Sequence, residues 1–124
     1  YPYVVLDNEA GLENLSRRIV QKVNLLILVS DQSNSGLETL KRLYTLADEM
    51  EIKYDKLLIV VNRMRTDTLP EKAAEVKEYT HADEVIGLPD DLELANLADT
   101  GESFEALGDD NAVIKKINNL VSNI

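Results

Sequence analysis

Residues 57–63 read Leu57-Leu58-Ile59-Val60-Val61-Asn62-Arg63, five consecutive aliphatic residues that deliver a carboxamide and then a guanidinium. A strand with one face in water alternates apolar and polar residues. An unbroken aliphatic run of this length requires apolar neighbours on both faces, which is the situation inside a parallel sheet covered by helices. Asn62 and Arg63 then stand just past the carboxyl end of the strand, and that is where open parallel sheets bind their ligands.

Three further runs have the same character: Tyr3 to Leu6, Leu25 to Val29, and Glu84 to Leu88. Helical patterns separate them, so the expected order is β-α-β-α-β-α-β-α-α, the alternation of an α/β fold. The clearest helix covers Leu37 to Met50, with Leu37, Leu40, Leu43, Tyr44, Ala47 and Met50 on one face. Ser35 and Glu38 have capping-box spacing before it, and Asp90 and Glu93 repeat that form before Leu94, Leu97 and Ala98. Pro70 suits the first turn of a helix over Glu71 to Tyr79. A last helix, about Asp110 to Asn123, carries Val113, Ile117, Leu120, Val121 and Ile124 on one stripe and is expected to close over the sheet. Thr100 to Asp110 reads as the connecting loop.

The whole chain, 1–124, has room for a single domain. A net charge of −10 with scattered basic residues excludes nucleic acid and anionic membrane as expected partners, because both demand a concentrated basic surface. No apolar run approaches the length of a membrane span and no secretory pattern is present, so the expected location is the cytoplasm. With no cysteine and one histidine, His81, any metal must be held by oxygen. The start at Tyr1-Pro2-Tyr3, without an initiator methionine, suggests a piece of a longer protein.

The expected strand ends carry Asp7-Asn8-Glu9-Ala10-Gly11, Ser30-Asp31, Asn62-Arg63 and Pro89-Asp90-Asp91. In the first, a carboxylate at a strand end can organise a magnesium hydration shell, while Ala10 and Gly11 let backbone N–H groups approach a terminal phosphate. The same residues also make a plain βα turn in which Asp7 caps a helix and Gly11 permits the bend. Asn62 offers a donor and an acceptor suited to the N6 and N7 edge of adenine, and Arg63 can stack on the base. Equally, Asn62 can bond its own turn and Pro89 can be a simple turn former.

Taken in order, Asp7-Asn8-Glu9-Ala10-Gly11-Leu12-Glu13-Asn14-Leu15-Ser16-Arg17, the Leu25 strand, Leu37-Glu38, Ile59-Val60-Val61-Asn62-Arg63 and Gly87-Leu88-Pro89-Asp90-Asp91 resemble the later half of P-loop ATPases of the MinD, ParA and nitrogenase-iron-protein class. Within that class they are most similar to the CooC-type maturation ATPases of carbon monoxide dehydrogenase. The resemblance implies an incomplete three-layer, Rossmann-like α/β fold that lacks the P-loop strand. It implies ATP and magnesium as cofactors of the parent protein, with Asp7 holding magnesium through water, Ala10 and Gly11 at the γ-phosphate, and Asn62, Arg63, Leu88, Pro89 and Asp90 around adenine. It also implies a homodimeric parent that serves a client metalloenzyme and handles nickel through residues outside this chain. The Gly-rich phosphate loop is absent from these residues, so this piece alone is expected to be nearly inert as a hydrolase. In the family the P-loop strand lies between the Asp7 and Leu25 strands. Here those two strands are expected to pair directly, another chain is expected to fill the gap, or the Asp7 strand is expected to be displaced.

A second reading comes from Asp31-Gln32-Ser33-Asn34-Ser35, which fits the Asp-x-Ser-x-Ser magnesium motif of von Willebrand A domains. On that reading Asp31, Ser33 and Ser35 hold Mg²⁺ in a non-catalytic binding module. The simpler account makes Ser35 a helix cap in a polar βα loop. His81 reads as a surface residue, and Asp90-Asp91 and Asp109-Asp110 as helix caps.

Overall fold

The computed structural model describes residues 22–103, 105 and 107–122. The expected Tyr3–Leu6 strand, together with Asp7, Ala10 and Gly11, lies outside the described residues. Along the described chain the elements are β1 (Lys22–Asp31), α1 (Asn34–Glu49), β2 (Lys53–Met64), α2 (Glu71–Thr80), β3 (Glu84–Pro89), α3 (Leu92–Thr100) and α4 (Ala112–Ser122). The three strands form one sheet in the order β1-β2-β3, with both ladders parallel. This is the α/β architecture expected from the alternation of runs, a parallel sheet flanked by helices.

The aliphatic run proves to be the centre of the molecule. Leu57, Leu58, Ile59, Val60 and Val61 are all buried, five in succession, because β2 has a strand on either side and side chains over both faces. Leu57, Ile59 and Val61 point into a cluster with Leu28, Leu37, Leu40, Met64, Val76 and Ala82, beneath α1 and α2. Burying an Ile or Leu in this way contributes about 1.5–3 kcal/mol each. β2 extends well beyond the apolar run at its amino end, through Lys53 to Lys56, because Lys22, Val23 and Leu25 of β1 supply its ladder partners there.

β1 departs from the expectation of burial on both faces. Leu28 is buried, but Ile27 and Val29 are 42% and 55% exposed. Ile27 and Val29 lie on the face of β1 opposite Leu28, and among the described residues β1 has β2 as its only strand neighbour. The last helix likewise covers less than its stripe suggested. α4 packs against β3 through a buried Val113, while Ile117 and Val121 remain exposed.

Local chemistry sets the helix starts, in places one or two residues from where spacing put them. Ser33, not Ser35, caps α1, its Oγ accepting from the Gly36 N–H at 3.0 Å. Asp91, not Asp90, caps α3 by accepting from the Leu94 N–H at 2.8 Å. Ala98, expected on the apolar face of α3, is exposed, whereas Leu97 is buried. Asn111, not Asp109 or Asp110, accepts from the Val113 N–H at the start of α4. Pro70 sits at the cap position of α2. His81 is exposed and ends α2 in the left-handed region. Glu38, free of any capping task, joins α1 to α2 through Lys72 at 2.9 Å, and Lys41 reaches Glu75 at 3.1 Å. No helix among the described residues is long and apolar enough to cross a membrane.

Candidate functional site

The parallel ladders bring the three strand ends to one edge. Asp31 is the register partner of Asn62, and Met64 is the partner of Pro89. Between Val61 and Met64 the β2–β3 register breaks, so Asn62 and Arg63 stand out from the ladder as an arch. Arg63 turns the corner in the left-handed region, with φ 56°. That conformation is uncommon for a residue with a long side chain. The Asn62 Oδ1 accepts from the Arg63 N–H at 3.0 Å, which uses one of the hydrogen-bonding positions of the carboxamide.

The arch is held on the β3 side. The Asp90 N–H donates to the Met64 carbonyl at 2.8 Å, and the Asp90 carboxylate lies 3.7 Å from the Arg63 Nε. Pro89, which has no N–H, ends β3 at this point. Gly87 is required by packing, since a Cβ there would overlap the Met64 Sδ. Its carbonyl accepts from the Lys116 Nζ of α4 at 2.8 Å, tying the strand that carries Leu88 and Pro89 to the last helix. The structure therefore brings Asn62, Arg63, Leu88, Pro89 and Asp90 into one neighbourhood. That neighbourhood presents a carboxamide and a cation together.

On the β1 side, the second candidate set is also assembled. The Asp31 Oδ1 accepts from the Ser33 N–H at 3.0 Å and from the Ser33 Oγ at 2.5 Å, and the two serine hydroxyls are 3.2 Å apart. The Ser33 hydroxyl holds the Asp31 carboxyl below the usual carboxylate range, helped by the Ser33 N–H and, more weakly, by Arg63 and Arg65. The donors are all oxygen, as a hard cation requires, but only one is an anion, and the Ser33 Oγ is committed to Asp31 and to the Gly36 N–H. Those bonds account for Asp31 and Ser33 as the cap of α1. Among the described residues no group of three or more His, Cys, Asp or Glu side chains is placed to hold a metal.

Residues that spacing did not single out also shape the site. The Gln32 Oε1 accepts from the Arg65 N–H at 2.8 Å, Met64 fills the space above Gly87, and Lys116 reaches β3 from the far end of the chain. Two concavities lie elsewhere. One of about 520 Å³ runs between α1 and α2 past Lys41, Thr45 and Tyr79, and one of about 320 Å³ is lined by Leu69, Ala73 and Val85 among others. Neither includes a residue of the arch, which is an open shelf.

The chain is similar to ATP-binding proteins. One, an uncharacterized ATP-binding protein of Methanocaldococcus jannaschii, is 36% identical over 127 residues, a match covering 100% of this chain and 49% of that relative. A second from the same organism, also an uncharacterized ATP-binding protein, is 36% identical over 64 residues, covering 52% of this chain and 24% of its own length. The chain thus spans about half the length of the first relative. No family model matches the sequence, and no solved structure matches it.

Proposed function

We propose that this chain is the base-binding half of an ATP-binding domain. The observation that carries the reading is the Asn62–Arg63 arch set against Pro89 and Asp90 at the carboxyl ends of parallel strands. The names of the two relatives support adenine nucleotide as the ligand class. In this reading the Asn62 Nδ2 donates to adenine N7 and its Oδ1 accepts from N6, while Arg63 lies over the ring face and Leu88 and Pro89 wall the base.

The finer assignment follows the likeness to MinD, ParA and nitrogenase-iron-protein ATPases, and to the CooC type in particular. Asp7 holds magnesium through water, and Ala10 and Gly11 approach the γ-phosphate. Hydrolysis depends on placing the phosphates and neutralising their charge. The Gly-rich loop that does this is not among these 124 residues, so this half binds adenine weakly and does not turn over by itself. In the parent protein, ATP-driven change in a cytoplasmic homodimer would serve nickel insertion into carbon monoxide dehydrogenase or a related client metalloenzyme.

Calorimetry of Mg-ATP, ADP and GTP against this chain and against a version extended upstream tests the reading, with hydrolysis followed in parallel. Tight binding and hydrolysis by the extended chain, with weak or no turnover by this one, is the expected result. If neither form binds an adenine nucleotide, the base site is wrong.

A further inference from the structure

We propose that Gln32 is the positioning residue of the base-binding arch, a tether from the β1–α1 turn that fixes the conformation in which Asn62 and Arg63 meet a nucleotide base. The proposal rests on the base-site reading above. At Asp31 and Asn62 the β1–β2 ladder ends. One residue later Arg63 leaves strand geometry, and Met64 and Asp90 anchor the returning chain to β3 alone. Past that point the β1–β2 ladder offers the Arg65 N–H no strand carbonyl. Gln32 supplies an acceptor at 2.8 Å, across a separation of 33 residues. A side-chain amide thus continues the attachment where the backbone ladder has stopped.

The tether is itself held from both sides. Asp31 is fixed by its register with Asn62, and Ser33 is fixed by capping α1 and by its bonds to Asp31. Gln32 lies between two pinned neighbours and is partly buried, so little freedom remains to be lost when its Oε1 meets the Arg65 N–H. The Asn62 carboxamide is oriented by the Arg63 N–H, and the Arg63 backbone is set between Asn62 and the Gln32–Arg65 bond. Removing the acceptor frees one end of the arch while leaving the buried core untouched.

The test compares Gln32→Ala with Gln32→Glu in the full chain. Glutamate keeps an acceptor oxygen at the same reach, whereas alanine keeps none. Two readouts are taken: hydrogen exchange of the Arg65 amide without nucleotide, and the Kd for Mg-ATP. Expected for Q32A are exchange at Arg65 faster by about tenfold and ATP binding weaker by roughly three- to tenfold, at an unchanged unfolding midpoint. Q32E should restore both. Unchanged exchange in Q32A, or ATP binding by Q32A equal to the parent's, overturns the proposal. If neither the unsubstituted chain nor its upstream-extended form binds ATP while Arg65 exchange still responds to Q32A, the tether exists but the base-site reading has failed, and the positioning role falls with it.

Discussion

Arg63 holds the left-handed region at φ 56° in a place where glycine would rest without strain. The side chain is largely exposed, and its contact to Asp90 is long, so neither burial nor ion pairing explains why a cation stands at this corner. A ligand does. Arg63→Gly should leave the urea midpoint no lower than the parent's, because relief of about 1 kcal/mol of backbone strain offsets the freer unfolded chain, while Mg-ATP binding weakens. A lower midpoint with unaltered binding would assign Arg63 to structure instead. Asp31 makes the second prediction at this scale. Its carboxyl titrates below the ordinary value because the charged form gains the Ser33 hydroxyl and N–H. A folded-state value lowered in this way contributes stability that is fully present above the unfolded value, about 3.9, and lost as pH falls through the folded one. The carboxyl carbon of Asp31, followed by NMR, should show a midpoint below that of an unfolded chain. Ser33→Ala should move it back up.

At the scale of the element, the start of α3 separates two adjacent aspartates that spacing cannot. Asp91 accepts from the Leu94 N–H, whereas Asp90 faces Arg63. Asp91→Ala should cost about 1 kcal/mol in denaturant unfolding, and Asp90→Ala should stay within about 0.5 kcal/mol. Equal losses would mean that the cap is shared. The same ambiguity explains what was legible in the sequence and what was not. Leu57 to Val61 reads as a strand covered on both faces and is one, whereas the equally aliphatic Leu25 to Val29 reads the same way and leaves Ile27 and Val29 exposed, so the run alone does not tell a central strand from an outer one. The strand ends that gather Asn62, Arg63, Pro89 and Asp90 follow from the Leu57 to Val61 strand. The cap of α1 was misplaced because Ser33 and Ser35 both precede a helix-like run, and the choice falls to Asp31, which anchors Ser33. The left-handed turn at Arg63 carries no glycine or asparagine to announce it. The Gln32–Arg65 bond joins residues 33 apart, beyond the reach of any local pattern. The polar start of β2 at Lys53 to Lys56 was missed for a related reason, since its strand character comes from β1 and not from its own side chains.

For the molecule as a whole, burial predicts a steep gradient of sensitivity across the sheet. Ile59 is 1% exposed and Ile27 42%, on neighbouring strands of the same ladder. Ile59→Ala should cost about 2–5 kcal/mol, and Ile27→Ala less than about 1 kcal/mol, measured as shifts in urea midpoint. Comparable losses would show that the open face of β1 is covered in solution. The connectivity of this sheet has a kinetic side as well. Both ladders are parallel, and each joins strands with a whole helix between them, so among the described residues no hairpin is available as a local nucleus. β2, which supplies more buried hydrophobic residues than any other described element, must collect one partner from each direction along the chain before its backbone groups are satisfied. Contacts of such long sequence separation slow folding relative to a helical bundle of equal stability. During that interval Leu57 to Val61 is an aliphatic run without its covering strands and helices, the kind of segment on which a chaperone acts during synthesis.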